Sequence, residues 1–231
     1  MKRRRRQSLE RVCASESLSL RFTVGRADSR GGRSKQPMIF IWLAAAIFFL
    51  QLPNPLFWLV VHPQVKFWRN HMRAAYITAL IVAWGIVTAF LVEFHSAIFR
   101  KRSPSDLQIG AGLLLIALDL WLFSRVHRDL GTSRLIGKPE LAGGGQVIGS
   151  GIYARMRHPR YTGMMASVLG ACLLAATPLM WAIVAAWLVL VFIVIRLEER
   201  ELRARLGKPY MQYCRRVPRF IPRRTVADEH S

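Results

Sequence analysis

The chain has 231 residues, enough for one domain, and combines 52% apolar residues with a formal net charge of +21. Its Lys and Arg residues cluster between apolar blocks, which is typical of the non-translocated loops of multispanning membrane proteins and argues against a nucleic-acid-binding domain. Three widely separated cysteines and scattered histidines indicate neither a disulfide framework nor a metal site.

The N-terminal segment 1–37 carries eleven basic and three acidic residues without an apolar period. Such a composition cannot bury a core and predicts a disordered tail. A secretory signal is not indicated, because the apolar run lies far from the Arg cluster and no small-residue cleavage site follows it. Residues 38–231 are predicted to form one membrane domain, and Met38 is an alternative natural start.

Three apolar blocks come next. The first, Met38 to Val61, is interrupted by Pro53 and Pro55, so both a kinked helix and a shorter helix with a re-entrant turn are allowed. The second and third have the length of roughly 20 residues that crosses about 30 Å of hydrocarbon. They are residues 74–94 and 107–126.

Asp119 lies within the third block, and a carboxylate inside a membrane is costly unless it faces the bundle interior or finds a partner. The favoured interpretation is structural: Asp119 lies near the helix end and pairs with an arginine such as Arg125. The alternative is a catalytic role.

The last apolar stretch, residues 162–195, is too long for a single crossing. Thr177-Pro178 interrupts it, and the residue before a proline avoids the helical region. We therefore predict a helical hairpin of residues 162–176 and 179–197 with both ends on the same side. The chain as a whole is predicted to be an all-α, polytopic membrane bundle of about five transmembrane helices.

The loop before this hairpin, residues 127–150, is rich in glycine but contains neither GxGxxG nor GxxxxGK[ST]. It is interpreted as a flexible loop that leads into a site. The charge distribution places this loop and the segment after the fifth helix in the cytoplasm. Five crossings would then place the N-terminal tail on the outer side of the membrane, which conflicts with its eleven basic residues. That conflict is removed if the first block does not fully span, if the tail is not natural, or if the charge rule is overridden.

The hairpin brings two sequence segments to one membrane rim. One is cationic and aromatic, the other acidic and aromatic. An ordinary interpretation is available, in which arginines such as Arg155 and Arg160 fix orientation and tyrosines form an interfacial belt. Paired carboxylates at such a rim point instead to a binding site. The residues concerned are Tyr153, Arg157, His158 and Tyr161 in the first segment, and Arg196, Glu198, Glu199, Tyr210 and Tyr213 in the second.

These segments read GIYxxxRHPxYxG and, after the hairpin, RxEExxLxxxxGxxYxxYxxxVxRFIP. Over about residues 105–222 the chain resembles the isoprenylcysteine carboxyl methyltransferases and their bacterial relatives, a group similar to the phospholipid methyltransferases. The resemblance implies an S-adenosylmethionine site embedded in the membrane, built from about residues 127–222. It assigns cofactor contacts to Tyr153, Arg157, His158, Pro159, Tyr161, Gly163, Glu198, Glu199, Tyr210 and Tyr213.

The same resemblance implies methyl transfer to a lipidic or prenylated acceptor, with carboxyl O-methylation of the isoprenylcysteine type as the favoured reaction. The catalytic residues would be Arg196 on the acceptor side, Glu199 and His158. A carboxylate acceptor needs only an orienting arginine, whereas an amine or hydroxyl needs a base, for which His158 or Glu199 are candidates. The protein would lie in the bacterial inner membrane, with its cofactor side facing the cytoplasm.

Two other functions stay open. The C-terminal halves of NADPH-dependent membrane sterol reductases look similar, and Gly207, Tyr210, Tyr213 and Cys214 partly fit their pattern, but Glu198-Glu199 stands where those enzymes carry an Arg-Asp pattern. A non-enzymatic membrane protein that binds anionic lipid through its arginine-rich rims would explain the charge. It would not explain the glutamate pair beside the tyrosines.

Overall fold

The computed structural model describes most of the membrane domain. The predicted tail, residues 1–37, and the glycines at 143–145 lie outside the described residues, so the predictions made for them stay predictions. The described residues are 38–64, 67, 74–100, 103–131 and 146–221.

Within these ranges the protein is mainly helical and contains no strand, so the predicted all-α class is confirmed. The helices are α1 (Met38–Gln51), α2 (Pro53–Val61), α3 (Ala74–Glu93), α4 (His95–Ile98), α5 (Asp106–Leu130), α6 (Pro159–Ala175), α7 (Pro178–Leu206) and α8 (Lys208–Arg216). Short 3-10 turns cover His62–Gln64 and Gly151–Ala154.

Three stretches in the described part of the chain are long and apolar enough to cross a membrane: Met38–Val61, Asp106–Leu130 and Pro178–Leu206. A shorter apolar stretch covers Ile77–Glu93, and α6 has 17 residues. The predicted integral membrane bundle is therefore confirmed, with three of the five predicted crossings meeting the length requirement.

The proline-containing first block is a kinked helix. Leu52 keeps helical dihedral angles between α1 and α2, so the chain continues in one direction and does not turn back. Proline at 53 and 55 removes two backbone donors, and neighbouring side chains bind carbonyl groups around the kink. Asn54 Nδ2 donates to the Leu50 carbonyl at 2.7 Å, and Trp187 Nε1 on α7 donates to the Leu52 carbonyl at 3.2 Å.

The predicted hairpin is present as α6 and α7, and its turn lies at Thr177-Pro178 as expected. Thr177 caps α7 by accepting a hydrogen bond from the Met180 N–H, and Pro178 occupies the first helical position, where its missing donor costs nothing. The turn is fixed to the segment after α4, because Thr177 N donates to the Ile98 carbonyl at 3.0 Å and Arg100 N donates to the Ala175 carbonyl at 2.6 Å.

Helices α5 and α6 approach each other closely at two glycines. A Cβ atom added to Gly170 would lie 2.6 Å from the Gly112 carbonyl oxygen, and one added to Gly112 would lie 3.0 Å from the Gly170 carbonyl oxygen. Small residues at such a crossing let two backbones pack directly, which is a main source of helix association in lipid.

A polar network lies between α1, α5 and α6 and corrects two predictions. Asp119 lies in the middle of α5, not near its end, and its partner is Arg160 at 3.2 Å, not Arg125. Arg125 instead lies over the Trp121 ring. Gln51 Nε2 donates to Asp119 at 2.8 Å and its oxygen accepts from Arg160 at 3.1 Å. Arg160 is therefore half-buried in a network and is not a simple rim charge.

The glycine crossing generates a stability prediction. Gly170→Ala places a methyl group against a backbone carbonyl that cannot swing away, so we expect the free energy of unfolding to fall by about 1–3 kcal/mol. The matched control is Gly110→Ala, because a Cβ atom there meets nothing within 4 Å. Thermal unfolding in detergent should show a lower Tm for Gly170→Ala only; equal Tm values would contradict the close approach.

Candidate functional site

The cationic segment before α6 is fixed to the end of α5. Ile152 N donates to the Asp129 carboxylate at 2.7 Å, which anchors the 3-10 turn. Gly151 has a φ of 58°, and a Cβ atom there would collide with the Asp129 carboxyl group. Glycine is required at this position for both reasons.

The segment after α8 pairs with the Arg-His-Pro motif through the backbone. Arg157 N donates to the Pro218 carbonyl at 2.9 Å, and His158 N donates to the Arg219 carbonyl at 3.0 Å. The Tyr213 hydroxyl donates to the Tyr153 carbonyl at 2.7 Å. The two segments at the open end of the hairpin are thus in direct contact, although about 60 residues separate them in sequence.

Glu199 is the centre of an ionic cluster at this contact. It is 1% exposed, on the part of α7 that continues past the apolar run. Its oxygens lie 2.9 Å from Arg157 Nη1, 3.1 Å from His158 Nε2 and 2.7 Å from Arg219 Nη2. Arg203 adds a fourth contact at 3.3 Å, one helical turn along α7.

This geometry gives Glu199 a positioning role. A buried carboxylate with several cationic partners is held ionised and has little capacity to accept a further proton. It connects the Arg-His-Pro motif, α7 and the C-terminal segment at a single point. The arrangement does not provide a base that could reach a second molecule.

Beside the cluster lies a cavity of about 240 Å³. Its walls come from α2, α5, α6, α7, α8 and the segment before α6. The side chains that carry polar groups into it are Asn54, Trp58, His62, Gln146, Tyr153, Arg157, His158, Arg160, Tyr161, Glu198, Arg205, Tyr210 and Tyr213.

Seven of the residues predicted as cofactor contacts line this cavity together: Tyr153, Arg157, His158, Tyr161, Glu198, Tyr210 and Tyr213. Three others do not. Glu199 lies behind the wall in its ionic cluster, Pro159 is buried as the first residue of α6, and Gly163 packs against Asp119 of α5.

Arg196, predicted on the acceptor side, lies elsewhere. It is exposed and lines a separate shallow groove with Phe192, Arg219 and Phe220. Successive residues on an α-helix are about 100° apart, so Arg196 and Glu198 project from different faces of α7. The structure therefore separates Arg196 from the cavity that the other predicted residues share.

Helix α2 also contributes side chains to the cavity, which was not predicted from the sequence. Asn54, Trp58 and His62 line the cavity, and their spacing of four residues places them on one face of a continuous helical run. That spacing is a visible signal, because these are the residues with polar groups in the otherwise apolar run PNPLFWLVVH. The Trp58 and His62 rings are stacked with centroids 5.0 Å apart.

The tyrosines of the cavity are neutral hydrogen-bonding groups. Burial raises the pKa of Tyr153, Tyr210 and Tyr213 above the ordinary value of 10.0, since desolvation penalises the phenolate. The phenols provide apolar ring surface and O–H groups in one place. A planar heteroaromatic ligand binds well to such a surface.

Comparison with known proteins identifies the family of this segment. Residues 107–208 match the phospholipid methyltransferase family. The match runs from the start of α5 to the first residue of α8 and includes the Arg-His-Pro motif and both glutamates. No curated protein and no solved structure matches the chain. The resemblance noted from the sequence is thereby confirmed over this segment, which is similar to the phospholipid methyltransferases.

The ionic cluster predicts a large cost for losing its carboxylate. Glu199→Gln removes the counter-charge of Arg157 and His158, whose side chains are only 10% and 3% exposed, so we expect the free energy of unfolding to fall by about 3–5 kcal/mol. Glu93→Gln is the control, because Glu93 is exposed at the end of α3. Chemical denaturation of both variants should rank Glu199→Gln as clearly the less stable. A reversed order would contradict the central role of Glu199.

Proposed function

We propose that this integral membrane methyltransferase takes its methyl group from S-adenosylmethionine, bound in the cavity beside Glu199, and passes it to a lipidic or prenylated acceptor. The family match supports methyl transfer at a membrane. The identity of the donor and the place of its binding are our proposal. It rests on the chemistry of the groups that line the cavity.

The observation that carries the proposal is Glu198. Its Oε2 atom is buried and has no hydrogen-bond partner among the described residues, while the side chain lines the cavity. A buried carboxylate oxygen without a partner is costly unless a bound ligand supplies one. Glu198 therefore marks a position for a cationic group.

The charged groups of S-adenosylmethionine fit the residues present. Glu198 would hold the ammonium or the sulfonium, and the rings of Tyr153, Tyr210 and Tyr213 would contact the adenine. Arg157 would bind the carboxylate through its Nε atom, which is buried without a hydrogen-bond partner among the described residues, while its Nη1 atom stays paired with Glu199. When bound, the cofactor would supply an activated methyl group. The task of these residues is to hold it in line with the acceptor atom.

The acceptor is expected to enter from the lipid. Carboxyl O-methylation of the isoprenylcysteine type requires an arginine to orient the acceptor carboxylate. The arginines that line the cavity each have a carboxylate partner already: Arg157 with Glu199, Arg160 with Asp119 and Arg205 with Glu201. A carboxylate acceptor would have to replace one of these partners, so this reaction has less support from the geometry than methyl transfer itself.

The cellular setting is part of the proposal. The arginine-rich open end of the hairpin, with the cavity beside it, is assigned to the cytoplasm of a bacterial inner membrane by the excess of Lys and Arg there. A water-soluble cofactor would then reach the cavity from the cytoplasm, while the acceptor would stay in the lipid.

Cofactor binding tests the proposal. Isothermal titration of the full chain in detergent with S-adenosylmethionine and, separately, with NADPH should give binding of the first only. Glu198→Gln should weaken S-adenosylmethionine about 10- to 100-fold, because a charge-assisted hydrogen bond is worth roughly 1.5–3 kcal/mol. The exposed Glu93→Gln is the control and should bind normally.

Labelled-methyl transfer into total membrane lipid and into a prenylated cysteine analogue completes the test. Binding of NADPH alone would favour the reductase. Stabilisation by anionic lipid with neither cofactor bound would favour a non-enzymatic lipid-binding protein, and either result would reject methyl transfer.

A further inference from the structure

His62 is a buried imidazole that no contact in the fold explains. It follows α2 directly, lines the cavity and is 8% exposed. Both ring nitrogens are buried without a hydrogen-bond partner in the described part of the chain. Such a group costs free energy unless a ligand provides the missing partner. Among the described residues its ring stacks on Trp58, and this contact satisfies neither nitrogen.

The protonation state of His62 suits a base. Burial lowers its pKa from the ordinary value of 6.5, and Arg205 acts in the same direction. Glu198 and Glu201 act in the opposite direction, but burial is the larger effect. The imidazole is therefore neutral at neutral pH and has a lone pair available.

The two bases considered from the sequence are occupied. Glu199 is surrounded by arginines and does not line the cavity, and His158 Nε2 is held 3.1 Å from Glu199. His62 lies in the turn after α2 and lines the same cavity as Glu198. The cavity thus contains a carboxylate for a cation and, in that turn, a neutral imidazole.

We propose that His62 is the proton acceptor for the methyl acceptor, and that the methylated atom is a nitrogen or oxygen that carries a proton, not a carboxylate. This inference rests on the proposed methyl transfer. It concerns α2, which lies outside the matched segment 107–208. Asn54, about two helical turns before His62, also lines the cavity. Its amide nitrogen donates to the Leu50 carbonyl, so its Oδ1 atom would be the group offered to the acceptor headgroup.

The step balances with the groups named. The acceptor atom forms a bond to the methyl carbon while the sulfur–carbon bond breaks, and that electron pair stays on the sulfur, which becomes a neutral thioether. The proton of the acceptor N–H or O–H moves to a ring nitrogen of His62. The resulting imidazolium is stabilised by Glu198 and Glu201 and then releases its proton to water.

The test compares His62→Gln with wild type in the full chain, with His95→Gln as the matched control. His95 is exposed on α4, next to the segment that binds the closed end of the hairpin. Labelled methyl transfer into total membrane lipid is followed by separation of base-labile methyl esters from methylated amines and ethers. Isothermal titration with S-adenosylmethionine and Tm values are recorded for each variant.

We expect His62→Gln to bind S-adenosylmethionine within about twofold of wild type and to lose about 10²-fold or more in kcat, the usual effect of losing a general base. The kcat of wild type should fall on acidification as His62 takes up a proton, and this limb should be absent from His62→Gln. His95→Gln should keep both the rate and the pH profile.

A second readout does not depend on turnover. Because the pKa of His62 is lower in the folded protein than in the unfolded chain, the unfolded state binds more protons as pH falls, and folding is destabilised. Between about pH 7 and about pH 5, the Tm of the wild type should therefore fall by more than the Tm of His62→Gln.

Three results would overturn the inference: labelled product that is a base-labile ester, a normal kcat in His62→Gln, or an unchanged acid limb in that variant. If wild type binds no S-adenosylmethionine and labels no lipid, the proposed methyl transfer itself fails, and this outcome is distinct from the other three.

Discussion

The structure at the open end of the hairpin is organised around one buried carboxylate. Glu199 lies where three pieces of chain meet: the Arg-His-Pro motif, α7 and the segment after α8. A carboxylate buried this deeply is costly to desolvate unless cationic partners face it, so these segments stabilise one another at this point. The open end of the hairpin is consequently held by ionic contacts and not by apolar packing alone. The cavity lies beside this point because the same segments form its walls.

A second ionic contact lies between the helix bundle and the cavity. Arg160 binds Asp119 and Gln51 inside the helix bundle, yet its side chain also borders the cavity. In lipid, polar groups of this kind are tolerated when they pair with one another across helices. Helices α1, α5 and α6 are thus held together by these hydrogen bonds, and Gly112 and Gly170 provide a separate close contact between α5 and α6.

The sequence predicted the helix classes, the proline turn of the hairpin and the meeting of its two flanking segments, because length, hydropathy and Pro178 act locally. It did not predict which of two adjacent glutamates faces the cavity. Glu198 and Glu199 are neighbours in the chain but project from different sides of α7, and only the packing of α2 and the C-terminal segment decides which side is which. For the same reason Arg196 was predicted at the acceptor and lies in another groove.

The partner of Asp119 was missed because the pair Asp119–Arg160 spans two helices, whereas Arg125 was merely close in sequence.

Most of the cavity wall comes from two regions that are far apart in the chain, α2 with its following turn, and residues 146–221, and α5 adds Val126 and Leu130. The ionic cluster and the tyrosines belong wholly to the second region, while the face with Asn54, Trp58 and His62 belongs to the first. Under the proposed function, the groups for the methyl donor and the face toward the acceptor would therefore belong to separate stretches of sequence. Substitutions confined to Asn54 and Trp58 would leave Gln51 and its contacts with Asp119 and Arg160 in place and present a different wall, so substrate preference could change without altering the ionic cluster.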